Sequence, residues 1–184
     1  CGDIEAVCAA AARDSGREEV AIVGHSAGAL YGLHFAARRA QRVSRLVMIG
    51  PPGPPGVWQE WRSGWAAEVS ARIRATPGLS ERLAEIERRS AAARHESERS
   101  ALRLERLNAT VGVYLDARHR AKAPRLEWFD QRVYESGFAD LEAQGREAEL
   151  RAGLAKFAGR ATVIHGASEC IPWESAERIV RLFP

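Results

Sequence analysis

Lysine is almost missing from this chain. Of its 27 basic residues only Lys122 and Lys156 are lysines; the others are arginines, set against 24 acids for a net charge of +3. Methionine occurs once, and no apolar run approaches the roughly 20 residues that a membrane-crossing helix needs, so a spanning segment is excluded. Glycine and proline, 16 and 8 of 184 residues, are far too few for a collagenous or low-complexity chain. The three cysteines, Cys1, Cys8 and Cys170, have no metal-ligand spacing, and an odd number cannot pair completely within one chain. No metal and no cofactor is therefore expected, and a reducing, cytoplasmic location is the default. The arginines form no basic stripe: they sit beside acids, as in Glu81-Arg82, Glu87-Arg88-Arg89 and Glu98-Arg99, which argues against a nucleic-acid partner.

What is present is the composition of an ordinary globular domain, 46% hydrophobic and 28% charged. Three short runs rich in aliphatic residues read as strands: Glu19 to Val23, Arg45 to Ile49 and Ala161 to Ile164. Continuous apolar runs of this kind are expected to be parallel strands buried on both faces. A helix is expected from about Asp3 to Ser15, closed by Gly16, and another from about Ser26 to Arg39. More than a hundred residues separate the second and third runs, too many for a crossover loop, so an insertion is expected there. It opens at Pro51-Pro52-Gly53-Pro54-Pro55-Gly56 and turns helical and highly charged, with Trp58, Trp61 and Trp65 on one helical face. Ser80 is expected to cap a helix carrying Leu83 and Ile86; Leu102, Leu104 and Leu107 form a further apolar set, and Pro124, Gly137, Gly145 and Gly153 punctuate the rest.

Chemistry concentrates at Val20-Ala21-Ile22-Val23-Gly24-His25-Ser26-Ala27-Gly28, a strand feeding G-x-S-x-G and then a helix. A serine at the apex of such a turn sits in a strained conformation, so the positions two before and two after it are expected to be nearly side-chain free for the chain to fold back on itself; Gly24 and Gly28 fill those places. The turn lifts the Ser26 hydroxyl above the sheet edge. The N-terminus of the following helix offers backbone N–H groups to a developing oxyanion, with Ala27 the expected first donor. A bland alternative leaves Ser26 as the N-cap of that helix.

On these residues the chain resembles the α/β-hydrolase superfamily. The likeness continues through Phe35-Ala36-Ala37-Arg38-Arg39 and Arg45-Leu46-Val47-Met48-Ile49-Gly50-Pro51. It resumes at Thr162-Val163-Ile164-His165-Gly166, with an acid three residues after that glycine and then Ile171-Pro172. The resemblance implies a three-layer α/β fold with about three parallel strands in this stretch. Its expected parts are a first core segment 1–56, an inserted helical cap 57–149 and a second core segment 150–184. It looks closest to the capped branch that includes proline iminopeptidase-like enzymes, esterases and C–C bond hydrolases.

The resemblance places Glu169 as the acid of a Ser-His-acid triad, although the family usually has Asp there; Glu174 is a weaker candidate. The base is the difficulty, because this fold runs in the order Ser, acid, His, and no histidine follows Glu169. His25, His34, His95, His119 and His165 each fit the role poorly. The upstream half of the oxyanion hole is not found either. The motif order therefore leads to the expectation of a partial sequence, the middle of a larger domain, with a degenerate paralogue as the rival. The function expected is a metal-independent serine hydrolase acting on a small-molecule or short-peptide substrate. Esterase and proline iminopeptidase-like activity both stay open, since His25-Ser26-Ala27 stands where the latter usually has x-S-W. The alternative is a noncatalytic binding protein that keeps the fold. Trp58, Trp61 and Trp65 are candidates for a substrate wall, with packing of the helical segment the simpler role.

Overall fold

The computed structural model describes every residue except 1, 55–56, 116 and 144–146, and leaves out the side chains of 58, 59, 61, 117, 138, 142 and 143. Cys1 and Gly145 thus lie outside the described residues. Asp3 and Glu5 in its first turn and Arg13 in its last complement the dipole of α1 (Gly2–Ser15). Gly16 takes the left-handed φ of +64° that ends the helix. Then come β1 (Val20–His25), α2 (Ala27–Arg38) and β2 (Val43–Ile49). Four helices follow, α3 (Val57–Arg74), α4 (Leu79–Ala92), α5 (Glu96–Thr110) and α6 (Gln131–Ala143), with short 3₁₀ turns between α5 and α6. The chain closes with α7 (Glu147–Leu154), β3 (Arg160–Ile164) and α8 (Trp173–Val180).

The three strands form one parallel sheet in the order β1-β2-β3. Registers of Ile22 with Leu46 and of Leu46 with Ala161, and of Gly24 with Met48 and of Met48 with Val163, build one face. That face carries α2, and a single core gathers Leu30, Leu33 and Phe35 of α2, Leu46 and Met48 of β2, Leu150 and Leu154 of α7, and Ile179 and Leu182 at the C-terminal end. Burying such side chains contributes about 1.5–3 kcal/mol each, enough to define this face as the stabilising one.

The other face corrects the expectation of strands buried on both sides. Burial alternates along each strand, and Val23 and Ile164 remain 68% and 50% exposed. Val47 and Ile49 share that face by register. The runs read as continuously apolar because both parities carry aliphatic residues, and side-chain character alone does not say which parity a helix covers.

By contacts the chain divides into two compact units. The first comprises Cys1–Arg62, Phe138–Ala167 and Ile171–Pro184; the second comprises Ser63–Gly137 and Ser168–Cys170. In the second, α4 and α5 pack together, Ile86 of α4 and Leu102 of α5 are buried, and Arg89 pairs with Glu105 at 3.1 Å and Arg106 with Glu87. Sequence neighbours such as Glu87-Arg88 thus find partners across the helix pair or one turn away, as Arg88 does with Glu85. Ser80 does not cap α4. Gly78, left-handed at φ 69°, precedes the first helical residue Leu79, which places Ser80 inside the helix. Gly153 does stand at a break, as the penultimate residue of α7, and there an added Cβ would come 2.3 Å from the carbonyl oxygen of Ala37. Gly137, by contrast, is internal to α6 and does not punctuate.

Candidate functional site

Residues 24 to 28 form a tight turn from β1 into α2. Ser26 stands at φ 52° and ψ −123°, and among the described residues it alone of the non-glycines has a positive φ. An L-residue held there is strained by about 1–3 kcal/mol, which persists only where the surroundings impose it. They do so on both sides. The Ser26 N–H donates to the Ile49 carbonyl at 2.9 Å, extending the β1–β2 ladder, while the Ser26 carbonyl accepts from Ala29 N–H at 2.9 Å and begins α2. Ser26 makes no side-chain capping bond, so the N-cap alternative finds no support in its hydroxyl.

The flanking glycines differ. A Cβ on Gly24 would lie 2.4 Å from the Gly28 carbonyl oxygen and 2.7 Å from Ala29 Cα, so only glycine fits. A Cβ on Gly28 would meet nothing within 4 Å among the described residues, which corrects the expectation that both must be side-chain free. The turn crowds its entry, not its exit, because the helix turns away from the strand after Ser26. Ala27 opens α2, so its N–H belongs to the first turn, whose donors have no acceptor within the helix.

Glu169 lies half-buried in the loop between β3 and α8, in the second unit, and its Oε1 accepts from Cys170 N–H at 2.9 Å. The Arg72 guanidinium donates to the Ser168 carbonyl at 2.9 Å. In the first unit the ends of the same loop are tied by His165, whose Nε2 lies 2.9 Å from the Ile171 carbonyl and whose ring packs edge-on to Trp173 at 5.5 Å. Glu174 sits exposed in the first turn of α8. Beneath α8, the buried Ser175 hydroxyl donates to the Pro51 carbonyl at 3.1 Å.

The histidines occupy five different settings. His25 is exposed on the open face, in register with Ile49. His34 is 2% exposed in the core, its pKa lowered to about 4 by burial first and Arg38 second, against an opposing pull from Asp140. His95 and His119 are exposed, and His165 closes its loop. Among the described residues no histidine is hydrogen-bonded to Ser26, and no group of three or more His, Cys, Asp and Glu is placed to hold a metal ion.

A family model for the alpha/beta hydrolase fold matches residues 3–184. The chain belongs to the α/β-hydrolase fold family. No curated protein and no solved structure matches it. This α/β-hydrolase-fold chain also has no helix, among the described residues, that is long and apolar enough to cross a membrane.

Of the aromatic stripe, the side chains of Trp58 and Trp61 lie outside the described residues. Trp65 stacks on Tyr114, with ring centroids 6.3 Å apart and planes 22° from parallel. Sequence reasoning missed two members of this neighbourhood, Tyr114 and Arg72. Glu68 and Arg72 at i and i+4 are a signal for a solvated ion pair, and they do pair at 2.7 Å. Nothing local to Arg72 announces the carbonyls of Val113 and Ser168, 41 and 96 residues away, to which it also donates.

Proposed function

We propose that this chain is a serine hydrolase that cleaves an ester, amide or related carbonyl bond through an acyl-enzyme on Ser26. The observation that carries the reading is the strained, positive-φ backbone of Ser26 combined with a side chain not spent on capping. Strain of this order is tolerated where it aims a reactive group, and a serine that merely started a helix would relax to the extended conformation usual for caps.

In the proposed chemistry the Ser26 oxygen adds to the substrate carbonyl carbon as its proton passes to a histidine base. The carbonyl oxygen takes the negative charge and is held by the Ala27 N–H at the helix terminus. Collapse expels the leaving group, which receives that proton, and water then hydrolyses the acyl-enzyme by the same steps. Glu169 is proposed to accept the other N–H of the imidazole and stabilise its charged form. No histidine of residues 1–184 is assigned as the base. Residues 57–149 are proposed as the cap, with Trp58, Trp61 and Trp65 offering apolar surface to a small-molecule or short-peptide substrate, as an esterase or proline iminopeptidase-like aminopeptidase would need.

A fluorophosphonate probe followed by peptide mapping tests this. An adduct on the peptide containing Ser26, abolished by Ser26→Ala, is the expected result; no adduct, under conditions that label a reference serine hydrolase, would sink the proposal. A noncatalytic binding protein is the second reading, favoured by the absence of a histidine bonded to Ser26 among the described residues. It predicts no adduct together with saturable binding of a carbonyl ligand.

A further inference from the structure

Arg72 is one of the more heavily engaged side chains of the second unit. Its side chain is 16% exposed, and the guanidinium donates from all three nitrogens: Nε to Glu68 Oε1 at 2.7 Å, Nη1 to the Val113 carbonyl at 3.2 Å and Nη2 to the Ser168 carbonyl at 2.9 Å. The i, i+4 pair with Glu68 by itself is worth only a few tenths of a kcal/mol. Its consequence is orientation, because it fixes the plane of the fork so that the two terminal nitrogens point at carbonyls from two other segments. An ammonium group is a single point donor on a flexible stem and cannot span three acceptors so arranged.

The Ser168 carbonyl belongs to the peptide unit that leads directly into Glu169. That stretch has no sheet or helix ladder of its own, since β3 ends at Ile164 and α8 begins at Trp173. Glu169 turns back to its neighbour's N–H, and the Cys170 side chain that follows is buried at 6% exposure. The backbone of the acid is therefore held from outside by Arg72.

We propose that Arg72 is the positioning residue for Glu169, anchoring the Ser168–Cys170 segment so that the carboxylate keeps one orientation. The catalytic meaning rests on Glu169 serving as the triad acid; the anchoring does not.

The test compares wild type with Arg72→Gln and Arg72→Lys. First, the alkylation rates of Cys170 and Cys8 by a small maleimide are followed by peptide mapping. Release of the segment is expected to raise the Cys170 rate at least about tenfold in Arg72→Gln while Cys8, buried in the core of the other unit, stays slow and reports that the first unit is intact, and an unchanged helical circular dichroism signal reports the same of the second. Arg72→Lys falls between. Second, the pH profile of Ser26 labelling is measured. A displaced acid is expected to cost about 10²-fold in rate and to move the acidic limb to lower pH, because an imidazolium without its carboxylate loses its proton more readily. An unchanged Cys170 rate overturns the anchor. A raised Cys170 rate with an unmoved labelling profile overturns the positioning role. Wild type that is not labelled at Ser26 overturns the hydrolase reading instead, and the Cys170 rate then upholds or overturns the anchor by itself.

Discussion

Ser26 holds its left-handed φ because two ladders pull on it, the sheet through its N–H and the helix through its carbonyl. Relief of that strain is measurable. Ser26→Gly, which adopts the same backbone freely, is expected to raise the unfolding free energy by about 1 kcal/mol while abolishing fluorophosphonate labelling. The two glycines of the motif divide in the same experiment. Gly24→Ala drives a methyl against backbone at 2.4 Å and is expected to cost more than about 3 kcal/mol, whereas Gly28→Ala enters open space in a helix and is expected to be neutral or to gain up to about 1 kcal/mol. Denaturant midpoints of the two single variants check both statements, and equal losses would contradict the geometry described above. At this scale the motif was readable from residue spacing alone, since Gly24, Ser26 and Gly28 lie within five positions. The unequal need for the glycines was not, because it depends on where the helix carbonyls fall. Arg72 was less legible still, its partners being fixed only by the fold.

Strand and helix positions follow closely from the chain's apolar periodicity and turn residues. The first expected strand, Glu19 to Val23, is observed as Val20–His25, and the helix after it begins where the motif ends. What periodicity could not supply is which face is covered. Val23 and Ile164 are as apolar as Leu46 and Met48, yet the first two are open and the last two are sealed under α2. Gly153 has two roles of which only one is visible in sequence: it stands one residue before the end of α7, and it permits close helix approach. The approach of α7 to Ala37 of α2 predicts that Gly153→Ala loses at least about 2 kcal/mol, although the change favours an isolated helix by about 1 kcal/mol. A stabilising or neutral outcome in urea denaturation would show that α2 and α7 are less tightly apposed than the structure has them.

For the molecule as a whole, the buried imidazole of His34 sets an acid sensitivity. Its folded pKa of about 4 lies below the ordinary value of 6.5, so the unfolded chain binds the proton more readily. No stability is lost to this group above pH 6.5, and the loss grows as pH falls from 6.5 toward 4. Between pH 7 and pH 5 it amounts to about 2 kcal/mol. His34→Leu is expected to flatten that part of the stability profile, as read from urea midpoints at the two pH values; an unchanged slope would place the acid sensitivity elsewhere. Arginine-rich surface pairs such as Arg89–Glu105 add little to this balance in water.

One row of backbone bonds runs across the C-terminal edge of the sheet: Ser26 N–H to Ile49 carbonyl, then Gly50 N–H to Ile164 carbonyl at 2.8 Å. The Ser26 amide and the last residue before the His165–Ile171 loop are therefore levelled against a single datum line. A slip of β3 by one residue would tilt the start of that loop against the elbow without touching either motif. Tolerance at this edge is thus set by three strands acting as one ruler, and amide exchange at Ser26 and Gly50 should rise together when any one of them frays.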